Sequence, residues 1–341
     1  MTERVLTQRA LNRALLARQL LLERARLPIP RALERIGGIQ NQYAPSGYVG
    51  LWARLVDVER PALTRALERR TAVQGTLMRV TIHLVSAREF WLFAMGVRQA
   101  RREWWLRQRK VDARELEHGA ERLRAALADG PRSVKELGDL ASGFVGNASL
   151  WVDLVRVPPS GTWERRRADL LALAEDWLGP CDVTEEAGVE HLVRSYLRAF
   201  GPGAPRDVAS WAGVPVGAVA SAIERLDLRR VRDEQGRLLH DLPRAPLPDP
   251  ETPAPVRFLP HWDASLLVHA RRTGVLPEHH RERVFSTKNP HSVGTFLVDG
   301  AVAGSWREEQ GRVVLEAFEP LPSSVVREVE GEAERLEAFV S

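Results

Sequence analysis

VEHLVRSYLRAF at 189–200, PRDVASWAG at 205–213 and VGAVASAIERL at 216–226, followed by LRRVRDEQGRLLHDL at 228–242, is the stretch that decides the fold. The first three strings carry apolar residues at helical spacing. Val214-Pro215 makes the turn between the second and third helices. The last string reads as two strands around a tip at Gln235-Gly236. This order is a helix-turn-helix with a β-wing.

Working outward, the same order recurs twice. In the first segment Thr7 caps a helix whose Leu11, Leu15 and Leu22 fall on one face. Pro28 and Pro30 stop it and open a second helix through Leu33 and Ile36. Tyr48 to Val56 alternates enough to predict a strand, and Pro61 starts a third helix. Val73 to Val85, with Gly75 inside, predicts two short strands or one bulged strand. In the second segment ELEHGAERLRAALA at 115–128 is a helix ending at Asp129-Gly130. Ser133 caps VKELGDL, LWVDLV at 150–155 reads as a third helical run, and VPPSGTW is a turn-rich tip. A proline-rich linker spans 241–255. After it come a strand VRFLP, a helix ASLLVHARR, three strands within 293–320 turning at Asp299-Gly300, and a closing helix at 325–340. The predicted class is mainly α with β wings (α+β). Tandem winged-helix units cover 1–110, 111–187 and 188–250, and a C-terminal α/β segment with a β-hairpin covers 251–341.

The 341 residues allow two or three compact units at about 100–200 residues each. Hydrophobic residues at 44% and charged residues at 28% exclude wholesale disorder. No window approaches ~18 uninterrupted apolar residues, so no membrane partner is expected. The N-terminus lacks the core and cleavage site of a signal peptide, and Glu3, Glu23 and a helical pattern make it an ordinary first helix. Cys181 is the one cysteine, which excludes an internal disulfide, an iron–sulfur cluster and a thiolate zinc site. A reducing cytoplasm is the natural setting.

Of the 49 basic residues only Lys110, Lys135 and Lys288 are lysines. The arginine excess reads either as coding bias in a GC-rich genome or as anion recognition. A net charge of +4 allows a local basic face without requiring one. His83, in a strand pattern, either contacts phosphate and buttresses a site or is a structural histidine. His261 and Asp263 look like a hydrolase pair, but no nucleophile motif accompanies them, and a structural role is the favoured reading. His279-His280 lacks metallopeptidase spacing, reads as exposed, and no metal is expected. Trp104-Trp105 between arginines either stacks on bases or packs inward.

Several stretches taken together are similar to one family. They are LERIGGIQNQYAPSGYVGLWAR at 33–54, GTLMRVTIHLVS at 75–86, VRVPPSGTWERRR at 155–167, PRDVASWAGVP at 205–215, FLPHWDASLLVHARR at 258–272 and FLVDGAVAGSWR at 296–307. Over nearly the whole chain they resemble the winged-helix DNA glycosylases of the AlkZ/YcaQ type, which carry three tandem winged helices. In that family a Gln-x-Gln or Gln-x-Asp motif carries catalysis, and the matching residues are Gln40 and Gln42. The middle position, usually aliphatic there, is Asn41, a departure that bears on local packing more than on chemistry. From the residues alone the glutamines read as solvated surface side chains. The resemblance makes them the expected catalytic pair.

The resemblance implies a monofunctional DNA glycosylase without a cofactor, a monomer acting on double-stranded DNA at the bacterial nucleoid. Its lesions would be cationic alkylated purines: N7-alkylguanine, N3-alkyladenine, and bulky adducts or interstrand crosslinks. Candidate DNA contacts are Arg79, His83, Arg165, Arg166, Arg167, Lys288 and His291, with the loop 286–292 probing the duplex. A glutamine amide is neither a base nor a nucleophile near neutral pH, so it suits only a bond already close to breaking. Its oxygens would face an oxocarbenium-like sugar and hold a water. A lyase needs an amine, and no lysine lies near the pair in sequence. Residues i and i+2 point opposite ways on a helix but the same way on an extended segment, and Gly37-Gly38 and Pro45 favour a helix end or irregular backbone here, which would let the pair converge. The alternative is a non-catalytic winged-helix DNA-binding protein or transcription regulator. Against it, the third helix has little beyond Glu224 and Arg225 to read base edges.

Overall fold

The computed structural model describes residues 4–109, 112–141, 148–267, 274–285 and 292–341. The deciding stretch folds as its pattern requires. Thr184 Oγ1 accepts from Ala187 N–H and caps the helix Glu185–Phe200. Pro205–Ala212 ends on the left-handed Gly213, and Val216–Arg225 follows the turn. Strands Arg229–Asp233 and Leu238–Asp241 pair antiparallel. At their tip Asp233 Oδ1 accepts from the N–H groups of Gln235 and Arg237. Val5–Leu6 adds to this hairpin as a parallel third strand.

The first segment holds the capped helix Gln8–Arg18, then Ile29–Ile36, Arg60–Glu68 and strands Ala72–Thr76 and Ile82–Ser86. The strand expected over Tyr48 to Val56 is instead the helix Pro45–Trp52. Pro45 opens it, and all eight residues are buried, so alternation had no solvent side to report. A 23-residue helix, Ala87–Arg109, leaves the second strand.

In the second segment Asp112 caps Ala113–Leu127, and Ser133 with Glu136 forms a capping box on Val134–Leu137. The expected helical run LWVDLV is a turn followed by the strand Leu154–Arg156. Arg98 and Arg101 hold the Asp153 carboxylate at 2.5 and 2.6 Å, and Pro158-Pro159 forbids helix beyond. This strand joins the first two segments in one six-stranded sheet. Its order is Ile39–Gln40, Ile82–Ser86, Ala72–Thr76, Leu154–Arg156, Leu170–Leu173, Arg132–Ser133.

Residues 242–256 form no helix or strand and pack back on the first helix, where Arg13 and Arg18 bond the carbonyls of Thr252 and Pro246. The C-terminal sheet runs Arg257–Leu259, Gly294–Val298, Ala301–Glu309, Arg312–Ala317, all antiparallel, covered by Ser323–Val340. Of the predicted helix ASLLVHARR only Ala264–Leu267 lies within the described residues. One core joins the first helix, the long helix, the third segment and the C-terminal sheet. Where the long helix crosses Glu185–Phe200, Gly96 and Gly188 let the two helices touch: a Cβ on Gly188 would stand 2.3 Å from Gly96 N.

Candidate active site

Gly37 and Gly38, both left-handed at φ 76° and 77°, swing the chain out of Ile29–Ile36 into the short strand Ile39–Gln40. Gln40 pairs with His83 across this strand. Asn41 points inward, 2% exposed. Its Nδ2 donates to Gln74 Oε1 at 3.0 Å, and its Oδ1 accepts from Gly47 N–H at 2.8 Å. Gln74 Nε2 in turn donates to the Gly161 carbonyl at 2.9 Å. An aliphatic side chain would fill this space but tie nothing. Asn41 anchors the strand to the helix Pro45–Trp52 and, through Gln74, to the 157–163 turn.

With Asn41 clamped inside, its neighbours face the other way and converge. Gln40 Nε2 donates to Gln42 Oε1 at 2.9 Å. Arg79 Nη2 donates to Gln40 Oε1 at 2.6 Å, and Nη1 donates to the Trp211 carbonyl. Because Arg79 only donates, the direction of the chain is set: cation to Gln40 oxygen, Gln40 NH2 to Gln42 oxygen. Gln40 is 4% exposed, while Gln42 opens to solvent. Arg79 and Val80 sit at φ 53° and 58°, left-handed without being glycine, a strain of about 1–3 kcal/mol each. The strained turn packs on Gly213, whose Cβ would meet Arg79 N at 2.9 Å.

Arg79 and His83, expected as DNA contacts, stand behind the glutamines instead. Burial lowers the Arg79 guanidinium to about 10, leaving it a cation at neutral pH. His83 is 2% exposed, and burial with the nearby Arg79 charge lowers it to about 3. Its Nδ1 lies 3.0 Å from the Thr81 carbonyl, which only accepts, so Nδ1 carries the single proton. The other expected contacts divide. Arg165 and Arg167 are exposed and share Asp169 at 3.2 and 3.4 Å. Arg166 Nη1 donates to Tyr43 Oη at 2.9 Å, and its guanidinium lies over the Tyr43 and Trp163 rings at 5.8 and 5.4 Å. It is thereby held against the residue that follows Gln42. Lys288, His291 and most of the 286–292 loop lie outside the described residues.

Asp263 forms a buried pair with Arg54 at 2.9 Å, while His261 Nδ1 meets the Ser292 carbonyl at 2.6 Å, so the two serve different structural contacts. Trp105 packs inside, and Trp104 is 41% exposed. Among the described residues one group could share a metal ion: His279, His280 and Glu319, in the C-terminal segment. His279 is exposed as predicted, whereas His280 is buried. Sequence reasoning missed Gln74 and Tyr43. Gln74 was legible as a lone amide in an apolar strand, and Tyr43 as an aromatic directly after the motif.

Helices and sheets joined in this order make a fold seen before. The chain is similar to the Streptomyces sahachiroi DNA glycosylase AlkZ, with a TM-score of 0.82 and 19% identity, over 98% of this chain and 97% of that one. The family model of AlkZ-like DNA glycosylases matches residues 33–339, and the chain belongs to that family. It is a DNA glycosylase, as the motif-level resemblance implied. No curated protein sequence matches it.

Proposed function

We propose that the enzyme hydrolyses the N-glycosidic bond of cationic alkylated purines in duplex DNA, with Gln40 and Gln42 as its working pair. The observation that carries this reading is the one-way chain from Arg79 through Gln40 to an exposed Gln42. Gln40 has its oxygen on Arg79 and its amide on Gln42, so it orients rather than touches. Gln42 keeps a second lone pair on Oε1 and both amide hydrogens for the substrate side. As the bond between C1′ and the purine nitrogen lengthens, its electron pair neutralises the cationic base. The sugar becomes oxocarbenium-like, facing the Gln42 oxygen. A water held on that oxygen adds to C1′ and loses its proton to solvent, leaving the free base and an abasic strand. No strong base is needed, and His83, held at about 3, is too weak to be one.

In this reading the chain is three winged-helix units over 1–110, 111–187 and 188–250 with the C-terminal segment 251–341, working as a monomer. Arg165, Arg166 and Arg167 meet backbone phosphate. Lys288 and His291 belong to the same proposed surface. The regulator reading is disfavoured by the helix Val216–Arg225. Its solvent face offers Val216, Gly217, Ala218, Ser221 and a lone acidic Glu224, and Arg225 is held by Glu190 at 2.7 Å and Glu186 at 3.2 Å.

Single-turnover excision of N7-methylguanine from a defined duplex tests the proposal. Gln42→Ala should slow excision by about 10²–10³-fold, the range for removing one preorganised charge-stabilising group, and Gln40→Ala by about 10–100-fold, as losing a partner that orients a reacting group does. Duplex binding should change little, since phosphate contacts dominate affinity. Full activity in the double alanine variant sinks the assignment.

A further inference from the structure

The short turn Glu278–His280 follows Pro277, leads into Arg281–Val284 and sets two imidazoles side by side. Their ring centres stand 4.0 Å apart. The strand Arg312–Ala317 ends at the same place, and Glu319 just beyond it turns one carboxylate oxygen towards both rings. Oε1 lies 3.3 Å from His279 Nε2 and 3.7 Å from His280 Nε2. A charge-assisted N–H···O bond is about 2.7–2.9 Å long, so both contacts are too long to be one. Two ligand atoms bound to one ion at about 2.0–2.1 Å, at the tetrahedral angle, stand about 3.4 Å apart. The two separations bracket that value, and the ligand atoms of all three residues lie within 4.8 Å of one another.

Two further observations distinguish this cluster from a chance meeting of surface side chains. His280 is 7% exposed, and its ring packs on Phe318 at 5.0 Å. Phe318 N–H donates to the Ala303 carbonyl at 2.9 Å, and the Phe318 carbonyl accepts from Arg283 Nη1 at 2.9 Å, so the residue before Glu319 is fixed on both sides. Arg283 is itself engaged, with Nη2 donating to Glu316 at 2.6 Å and the guanidinium 4.2 Å over the Phe318 ring. Glu319 is thereby left to the histidines: among the described residues it pairs with no arginine or lysine.

Two imidazole nitrogens and one carboxylate oxygen suit a late first-row divalent ion, whereas magnesium and calcium favour oxygen alone. Three protein ligands leave a fourth position to water. We propose that His279, His280 and Glu319 bind one divalent transition-metal ion, zinc by the tetrahedral spacing, which fastens the turn 278–280 to the end of the C-terminal sheet. Base release as proposed above uses none of the three residues. Adjacent histidines carry no metal signature in sequence, and for that reason none was expected; the third ligand arrives only through the fold.

The test uses the full chain, free of any affinity tag, and zinc chloride alone. Calorimetric titration should show one zinc ion bound per chain. His279→Gln and Glu319→Gln, both at side chains 65% exposed and so outside the core, should each weaken binding by at least about 10-fold, no less than the loss of a ligand's outer partner costs. Cys181→Ala should bind as wild type does. Zinc should raise the urea midpoint of wild type and leave that of both variants in place, because an ion held only by the native chain stabilises it by mass action. Absence of saturable binding overturns the proposal. Equal binding by wild type and both variants, or loss of binding in Cys181→Ala, overturns it as well by placing the ion elsewhere. None of these readouts involves excision, so each result leaves the reading of Gln40 and Gln42 as it was.

Discussion

The role proposed for Gln42 requires a fixed amide, and two other side chains, Gln40 and Arg79, settle its orientation. An amide has two faces of opposite polarity, and a free one would rotate between them. The Arg79 fork ends that freedom by holding the Trp211 carbonyl and Gln40 Oε1 at once. A lysine ammonium is a point charge and cannot keep both contacts in one plane. Arg79→Lys should therefore slow excision by about 10–100-fold, as losing a partner that orients a reacting group does. The drop should appear in the saturating rate and not in duplex affinity. Combining Arg79→Ala with Gln40→Ala should cost little more than either alone, because both remove the same orientation. Fully additive losses in single-turnover assays would mean that Arg79 acts separately, for instance on phosphate.

At the scale of elements, the site depends on how closely two helices approach. Arg79 reaches the Trp211 carbonyl because the third segment lies hard against the first, and Gly96 facing Gly188 makes that possible. A Cβ at either glycine would meet backbone atoms, 2.6 Å from Gly188 O in one case and 2.3 Å from Gly96 N in the other. Backbone cannot move aside as a side-chain tip can, so Gly188→Ala should cost at least the ~1–3 kcal/mol of ordinary overpacking. It should also slow excision by tilting Trp211 away from Arg79. Gly331 is the control, lying within Ser323–Val340 with nothing within 4 Å of the place a methyl group would take. Gly331→Ala should gain about 0.5–1 kcal/mol from backbone entropy alone. Urea unfolding of both variants checks the pair of signs.

Across the whole molecule, segments distant in sequence are fastened by buried ion pairs. Arg18 holds Asp241 through two bonds at 2.6 and 3.0 Å, both side chains fully buried, tying the first helix to the third segment's hairpin. Arg54 and Asp263 tie the first segment to the last in the same manner. Removing one partner strands the other charge in the core, so Asp263→Ala should cost about 3–5 kcal/mol in chemical unfolding. A cost below about 1 kcal/mol would show that water reaches Arg54. Acid should weaken the fold through histidines. His83 and His191 are both lowered to about 3, mainly by burial, with Arg79 and Arg198 adding to it. An unfolded histidine titrates near 6.5. Below that value the unfolded chain binds protons that the native one refuses. Stability is thus full above about 6.5 and falls as pH drops towards 3, by about 1.4 kcal/mol per pH unit for each histidine. Glu89, raised by burial beside His191, works in the opposite sense near its own range. Unfolding free energies at pH 7 and pH 5 should differ, and His191→Gln should reduce the difference.

The amino-acid sequence determined most of the helix order and the hairpins, because caps, prolines and periodicity are local and act within a few residues. Thr7 and Ser133 cap as their spacing predicts, and Gly37-Gly38 before the motif let Gln40 and Gln42 converge. The sequence also carried the family resemblance. Where burial removes the contrast between faces, local pattern lost its meaning, so Tyr48 to Val56, which begins inside the helix Pro45–Trp52, read as a strand, and 150–155, which runs into the strand Leu154–Arg156, read as a helix. Only the tertiary structure decided that Arg79 and His83 lie behind the glutamines, that Asn41 is a clamp, and that His279, His280 and Glu319 meet. Each of these depends on contacts between residues tens to hundreds of positions apart. Such contacts are fixed by which faces the core brings together, and no local spacing encodes that.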